Sequence, residues 1–261
     1  MCLLRIQGPF HRNAFGHKVL HRNFIFPDLP EAFDGYSILH LTDFHLDALP
    51  TLSDHLVPML KPLQCDLAVL TGDYQDRFHA DPEINRGQLQ DIVGAINARD
   101  GVIATLGNHD TFRTVPILED LGVEVLVNES KLVHRGDESV LITGLDDIHY
   151  YFSPDTLRAL WNPDHAFKIL AVHSPELYAL AEQRGYQLYL TGHTHGGQVC
   201  LPTGIPIITH AKVRRSFTGG AWRYRGIQGH TSRGIGTSGL PIRFNCPPEI
   251  VLCRLFRGES R

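Results

Sequence analysis

Short apolar runs that alternate with helical stretches constrain the fold of this chain more than any other sequence feature. Six runs rich in Leu, Val and Ile are predicted to be buried strands, at 37–42, 67–71, 102–106, 139–143, 168–172 and 187–191. Helices are predicted between and after them, near 51–61, 86–98, 112–121, 154–161 and 175–183, with Ser174 as the cap of the last one. Strands that alternate with helices indicate a layered α/β fold.

Polar side chains directly follow five of these six predicted strands. The segments are Asp43-Phe44-His45, Gly72-Asp73-Tyr74-Gln75-Asp76, Gly107-Asn108-His109-Asp110, His173 and Gly192-His193-Thr194-His195. Each of them alone is compatible with a turn, a helix cap or a core histidine. Ligands of open α/β sheets, however, bind beyond the carboxyl ends of the strands, and here five strand ends carry such groups. The pattern therefore predicts a metal site.

The types of ligand in this set indicate which metal ions would bind. Carboxylates, imidazoles and an amide oxygen suit Mn, Fe, Zn, Co or Ni, and no thiolate favours a softer metal. In an extended segment, residues i and i+2 share a face, so Asp43 lies beside His45, and His193 beside His195. Seven donors exceed the need of one catalytic ion, which keeps an open position. We therefore expect two divalent ions about 3.5–4 Å apart that share a carboxylate, with Mn²⁺ as the first candidate.

Charge is distributed unevenly along the chain. The formal net charge is −4, but residues 28–195 contain 26 acidic and 10 basic residues, whereas residues 196–261 contain 10 basic and 2 acidic ones. The chain is therefore not basic throughout, and no nucleic-acid partner is predicted. Residues 1–27 are also basic. Both ends could be solvated faces, or they could lie together and face a phosphate or an acidic membrane surface.

Cysteine content and hydropathy bear on the cellular location. The five cysteines include no CxxC pair, which argues against a structural zinc site or a disulfide framework and favours reduced thiols. No apolar run approaches the roughly 18 residues that span a bilayer, and the first residues are too short a run for a signal peptide. We expect a cytoplasmic protein, with peripheral contact at the inner membrane as an option.

The region after residue 196 contains three further signals. Gly234–Gly239 matches G-x-G-x-x-G, but no helix pattern follows it, so we predict a loop near the metals rather than a dinucleotide site. Arg233, directly before it, is a candidate for binding the substrate phosphate, although an exposed loop arginine is an equal alternative. The apolar segment Leu201–Ile208 would either contact acyl chains or pack inward. Short strands are predicted near 227–232 and 249–256.

The five polar segments, in this order, resemble those of the calcineurin-like metallophosphoesterase superfamily, over residues 36–195. Gly196–Val199 and Pro241–Ile250 are similar to a bacterial subgroup of single-domain phosphoesterases related to UDP-diacylglucosamine pyrophosphatases. The resemblance implies a four-layer αββα sandwich. Because no linker interrupts the chain, we predict one domain over 1–261, with an N-terminal extension (1–35), a metal-binding core (36–195) and a C-terminal β part (196–261).

The resemblance also implies a role for each polar residue. Asp43, His45 and His195 would hold the first metal, Asn108, His173 and His193 the second, and Asp73 would bridge the two. His109 would act beside the substrate, as a general acid or as a cation that stabilises the phosphoryl charge. Asp110 would orient His109 by accepting its other ring proton, and Asp76 would be a supporting carboxylate.

These observations predict a binuclear phosphoesterase that hydrolyses a phosphodiester or diphosphate with metal-activated hydroxide. A lipid-linked or membrane-proximal substrate is an option, and UDP-2,3-diacylglucosamine pyrophosphatase is the specific alternative. An alternative of another class is a metal-binding scaffold without activity. The complete set of ligands, with His109 present, favours the enzyme.

Overall fold

The structure is a computed structural model that describes residues 13–209 and 211–259. The N-terminal residues on which the targeting argument depended, and the first part of the predicted N-terminal extension, lie outside the described residues.

The described residues form fourteen strands and five α-helices. The strands are β1 Lys18–Phe26, β2 Ser37–Leu41, β3 Gln64–Cys65, β4 Leu67–Thr71, β5 Asn97–Ala98, β6 Val102–Thr105, β7 Val123–Val125, β8 Glu129–Arg135, β9 Glu138–Gly144, β10 Lys168–Ala171, β11 Leu188–Thr191, β12 Gly220–Tyr224, β13 Ile227–Thr231 and β14 Glu249–Arg257. The helices are α1 Leu52–Leu60, α2 Arg86–Gly94, α3 Thr114–Asp120, α4 Pro154–Ala159 and α5 Tyr178–Gln183. None of these helices has the length and apolarity needed to cross a bilayer.

Most strands belong to two six-stranded sheets. The first has the order β1-β14-β2-β4-β6-β7, the second has the order β12-β13-β11-β10-β9-β8, and β3 pairs with β5 separately. Strands β2, β4, β6 and β7 run parallel, as do β9, β10, β11 and β13. The six predicted strands before residue 195 and the five predicted helices are confirmed, with boundaries shifted by a few residues.

The alternation of side chains along the strands produces four layers. Ile38 and Val69 of the first sheet face Ile142 and Ile169 of the second, in a core between the sheets. The opposite face of the first sheet packs against α1, α2 and α3. The opposite face of the second sheet packs against Leu160, which follows α4, and against α5. The αββα architecture implied by the sequence is therefore confirmed, and it brings the ends of parallel strands from both sheets to one edge.

The two ends of the described chain lie side by side in the first sheet. β1 pairs in parallel with β14 over nine residues, from Lys18 opposite Glu249 to Phe26 opposite Arg257, and β14 is antiparallel to β2. Part of the predicted N-terminal extension is thus an edge strand. Its mixed polar and apolar pattern suits an edge position, where one side of the strand stays in contact with solvent.

Candidate metal centre

The five polar segments meet where the parallel strands of both sheets end. The N–H of Asp43 donates to the carbonyl of Gly72 (3.0 Å), and the N–H of His45 donates to the carbonyl of Asp73 (2.9 Å). Between the two sheets, the N–H of His193 donates to both carboxylate oxygens of Asp43 at 3.1 Å. The backbone of a segment from the second sheet therefore fixes the carboxylate of a candidate ligand from the first.

Five of these polar residues have a left-handed backbone conformation, which is unfavourable for residues other than glycine. The φ angles are 54° for Asp43, 43° for His45, 57° for Asp73, 69° for His193 and 49° for His195. Such conformations persist only where the surrounding structure enforces them, and they cluster at functional sites.

Two glycines make room for the carboxylates. A Cβ atom at Gly107 would lie 2.3 Å from Oδ1 of Asp73, and one at Gly192 would lie 2.3 Å from Oδ2 of Asp43. Only glycine fits at these close approaches, which explains why both precede polar segments in the sequence.

The donor atoms form two groups around Asp73. In the first, Nε2 of His195 lies 3.1 Å from Oδ1 of Asp43 and 3.1 Å from Nε2 of His45. In the second, Nδ1 of His193 lies 2.8 Å from Oδ1 of Asn108. Oδ2 of Asp73 lies 3.4 Å from Nε2 of His45 and 3.1 Å from Nε2 of His173.

This donor set fits divalent cations. Asp43, His45 and His195 place three ligand atoms within 4.8 Å of one another, and so do Asp43, Asp73 and His173. These two triads offer carboxylate oxygens and imidazole nitrogens, and Asn108 adds an amide oxygen beside His193. This donor chemistry matches Mn, Fe, Zn, Co or Ni rather than a soft metal.

The electrostatics of the side chains in the two groups depend on burial and on their charged neighbours. Burial would raise the pKa of Asp73, but His173 and His45 hold it well below its ordinary value. Burial opposes protonation of His173, yet Asp73 and Asp43 raise its pKa to about 10. Without a cation, the raised pKa of His173 favours a proton on its imidazole beside Asp73. Cation binding must release such protons, so metal affinity should rise with pH.

His109 lies at the cavity beside these groups. Its backbone N–H donates to Oδ1 of Asp73 (2.9 Å), and its Nδ1 donates to the carbonyl of Asp76 (2.5 Å). Its ring contacts that of His45 edge to face, with 5.0 Å between centroids. Oδ1 of Asp76 in turn lies 3.3 Å from Nδ1 of His45.

The predicted contact between Asp110 and the ring of His109 is wrong. The Asp110 carboxylate accepts hydrogen bonds from the N–H groups of Gly107 (2.8 Å), Asp73 (2.7 Å) and Tyr74 (2.9 Å). The turn from Gly107 to Asp110 directs this side chain back beneath the backbone, away from the imidazole. Burial raises the pKa of Asp110 to about 7. Asp110 therefore supports the two ligand segments rather than the histidine ring.

Arg233 is not part of the cavity lining, to which Asn108, His109 and His193 contribute. Its Nη1 lies 3.5 Å from Oε2 of Glu249, and its backbone N–H donates to Oε1 of the same residue at 3.0 Å. The Gly-rich loop that follows it packs against the metal site, as predicted: the N–H of Gly236 donates to the carbonyl of Asp43 at 2.7 Å.

A cavity of about 890 Å³ opens over the donor groups. Asp73, Asn108 and His193 contribute to its lining. One part of the lining is aliphatic: Val199, Ile207, Ile208 and Leu240. Another part has rings: His109, His149 and Tyr150.

Sequence reasoning missed two polar clusters at this site. Nε2 of His149 lies 2.9 Å from Oγ of Ser174, which donates to Glu176. Ser174 occupies the predicted cap position before Pro175, but its side chain makes no capping hydrogen bond. The ring of His149 lies 4.6 Å from that of His193. The other cluster surrounds Arg243, which is fully buried. No spacing signal marks either cluster, because its members come from distant segments.

Comparison with known proteins identifies the family. The family model for the calcineurin-like phosphoesterases matches residues 36–197. This chain belongs to the calcineurin-like phosphoesterase family. It is 32% identical to the uncharacterized metallophosphoesterase YkuE of Bacillus subtilis, over 87% of this chain and 81% of the relative. It is 27% identical to a transmembrane protein with a metallophosphoesterase domain from Danio rerio, over 85% of this chain and 54% of the relative.

Solved structures show the same fold. The protein TT1561 of Thermus thermophilus superposes with a TM-score of 0.51 at 12% identity, over 77% of this chain and 90% of that one. Membership of the family makes this chain a metal-dependent phosphoesterase, and thus a hydrolase that uses divalent metal ions and acts on a phosphate ester.

Proposed function

We propose that this protein is a binuclear phosphoesterase that hydrolyses a phosphodiester or a diphosphate, with Mn²⁺ as its metal. The main support is the position of Asp73, whose Oδ2 lies between His45 Nε2 (3.4 Å) and His173 Nε2 (3.1 Å). A carboxylate between two groups of ligands is the arrangement that lets two ions share a bridge. Asp43, His45 and His195 would hold the first metal, and Asn108, His173 and His193 would hold the second.

The residues of the chain contribute positioning and proton transfer. When bound, divalent cations would supply a lowered pKa for a coordinated water and charge neutralisation on the phosphoryl oxygens. Because Nδ1 of His109 donates to the Asp76 carbonyl, Nε2 is the ring atom left to hold or release a proton. His109 is then the general acid for the leaving oxygen. Asp110 keeps Asp73 in place by accepting its backbone N–H, and it stabilises the Gly107–Asp110 turn that contains His109 by accepting the N–H of Gly107.

The aliphatic part of the cavity favours a substrate with an apolar portion. The side chains of Ile207, Ile208 and Leu240 line the cavity, yet they are 55%, 63% and 65% exposed. Exposed aliphatic groups that continue into a catalytic cavity are suited to an acyl chain or a membrane surface. Lys212, Arg214 and Arg215 are exposed nearby in the chain, and cations of this kind suit anionic headgroups. We infer a lipid-linked substrate and peripheral membrane contact.

UDP-2,3-diacylglucosamine hydrolysis is the specific second candidate. Tyr150 lines the cavity, and its ring contacts that of Phe78 with 5.4 Å between centroids. Such aromatic groups offer a surface for a base, while Ile207 and Ile208 offer one for acyl chains.

A direct assay tests the substrate class. The Mn²⁺-loaded protein is given p-nitrophenyl phosphate, bis-p-nitrophenyl phosphate and a UDP-linked lipid side by side. We expect the diester or the diphosphate to be cleaved with the higher kcat/KM. Ile208→Asn should raise KM for the lipid but not for the small diester, whereas Ile84→Asn, at an exposed isoleucine elsewhere, should change neither.

Three results would contradict these proposals. A preference for the monoester would contradict the diester and diphosphate assignment. Equal KM values for the lipid with Ile208→Asn and with wild type would contradict the lipid contact. A complete lack of hydrolysis with two metals bound would favour the non-enzymatic scaffold.

A further inference from the structure

Arg243 has an unusual environment for a cation. Its side chain is fully buried, and within residues 13–209 and 211–259 no carboxylate forms a salt bridge with it. Its guanidinium donates instead to backbone carbonyls, those of Gly236 (2.6 and 3.1 Å), Arg233 (2.6 Å), Cys246 (3.3 Å), Gly234 (3.4 Å) and His195 (3.5 Å). A buried charge is costly unless such bonds compensate it, so this arrangement requires a physical reason.

Three of these carbonyls belong to Arg233–Gly236, the start of the loop that packs against Asp43. In that loop, the N–H of Gly236 donates to the carbonyl of Asp43 (2.7 Å), and the N–H of Ile235 donates to that of Thr42 (3.0 Å). A Cβ atom at Gly234 would lie 2.6 Å from Cβ of Asp43. The loop therefore holds Asp43 in its left-handed conformation, and Arg243 holds the loop.

Arg243 also lies against His195, another donor of the first group. Nη1 donates to the His195 carbonyl at 3.5 Å, and Nη2 lies 3.4 Å from Nδ1 of the imidazole. The thiol of Cys246, whose carbonyl Arg243 also binds, donates to the same His195 carbonyl at 3.2 Å. The backbone of His195 is thus held by these two donors to its carbonyl, while Nε2 of its ring faces Asp43.

We propose that Arg243 is a positioning residue for the first metal: it holds Asp43 and His195 in the conformations in which they bind that ion. The inference rests on the proposed two-metal site. The hydrogen bonds of Arg243 go to His195 and to loop and C-terminal carbonyls, and none goes to Asn108, His173 or His193. Loss of its guanidinium should therefore affect one metal and spare the other.

The planar fork of donors makes the position specific for arginine. Five N–H groups in a fixed geometry can bond carbonyls from separate segments at once, which a lysine ammonium cannot. Without the fork, carbonyls of Arg233 and Gly236 lose their donor, and the loop can relax away from Asp43. Loss of a group that orients a metal ligand lowers affinity by about 10- to 100-fold.

Stepwise Mn²⁺ titration of the metal-free full chain, followed by calorimetry and by metal analysis after dialysis, tests this inference. Wild type should bind two equivalents. Arg243→Met should weaken one binding step by about 10- to 100-fold and leave the other unchanged. Its isotherm should resemble that of His195→Ala, which lacks a first-metal ligand, and differ from that of His173→Ala, which lacks a second-metal ligand.

Lys168→Met is the matched control, because Lys168 is also a buried cation that donates to backbone carbonyls, those of Asn162 and Arg184. This control should lower the melting temperature without changing either binding step. Arg243→Lys is measured in parallel and should weaken the same single step, which keeps the test decisive if the methionine variant does not fold.

Two results overturn the inference alone: both steps unchanged in the Arg243 variants, or both weakened equally. Binding of fewer than two equivalents by wild type overturns the two-metal site itself, and the inference with it. The failure of one proposal is thereby distinguished from the failure of the other.

Discussion

A single hydrogen bond at His109 decides which of its ring nitrogens is available for chemistry. Because Nδ1 is bonded to the Asp76 carbonyl, Nε2 is the nitrogen left to transfer a proton. His109→Gln removes that proton donor but no proposed metal ligand. It should therefore leave metal content at two equivalents and lower kcat by about 10²- to 10⁴-fold. The loss should be larger for substrates with poor leaving groups, which need a proton most. Metal analysis and kcat for a series of phenyl diesters measure both effects. Full activity on every substrate would refute the role of His109.

Asp73 differs from the other proposed ligands because it lies between the two groups of donor atoms. Asp73→Asn removes the shared charge, so we expect weaker metal binding at both positions rather than one. Asp66→Asn is the control, since the Asp66 carboxylate accepts hydrogen bonds from Ser37 and binds no candidate ligand. Metal content after dialysis decides, and two retained equivalents in Asp73→Asn would argue against a bridge.

Among the elements, the Gly-rich loop is predicted as a loop from its sequence, but its contact with the backbone of Asp43 is visible only in the structure. A Cβ atom at Gly236 would lie 2.0 Å from the Phe44 carbonyl oxygen. Gly236→Ala should therefore displace the backbone beside Asp43, cost about 1–3 kcal/mol of unfolding free energy and weaken metal binding. Gly87→Ala, in α2 with nothing within 4 Å of its Cβ, should be neutral or slightly stabilising. Urea unfolding of both variants measures the contrast, and equal stability would disprove the clash.

Whole-molecule stability should depend on the metals, because their ligands come from both sheets. Asp43 and Asp73 follow strands of the first sheet, whereas His173 and His195 follow strands of the second. A metal ion present at 100 times its Kd adds about 2.7 kcal/mol per site to the free energy of unfolding. Chelation should therefore lower Tm by on the order of 5–10 °C. Thermal unfolding with and without EDTA measures this. The drop should be smaller in Asp73→Asn, and an identical Tm in wild type would contradict cation binding across the two sheets.

Local pattern alone identified the central strands, the helices and the polar segments at their ends. Strands such as Leu67–Thr71 are buried on both faces, so their sequences are continuous apolar runs that clearly indicate a strand. The edge strands β1 and β8 escaped prediction because their partly exposed residues mix polar and apolar types. The metal ligands could be proposed because each follows a strand whose end must meet the others in a parallel sheet.

Only the tertiary structure decided which atoms touch. The ring of His109 donates to a backbone carbonyl 33 residues earlier in the chain. The Asp110 carboxylate accepts from backbone N–H groups rather than from that ring. Arg243 takes its role from carbonyls of several segments, and carbonyls are present in every residue, so composition and spacing carry no trace of it. Residue types and periodicity are local properties, whereas the direction of a hydrogen bond follows from how distant backbones pack against one another.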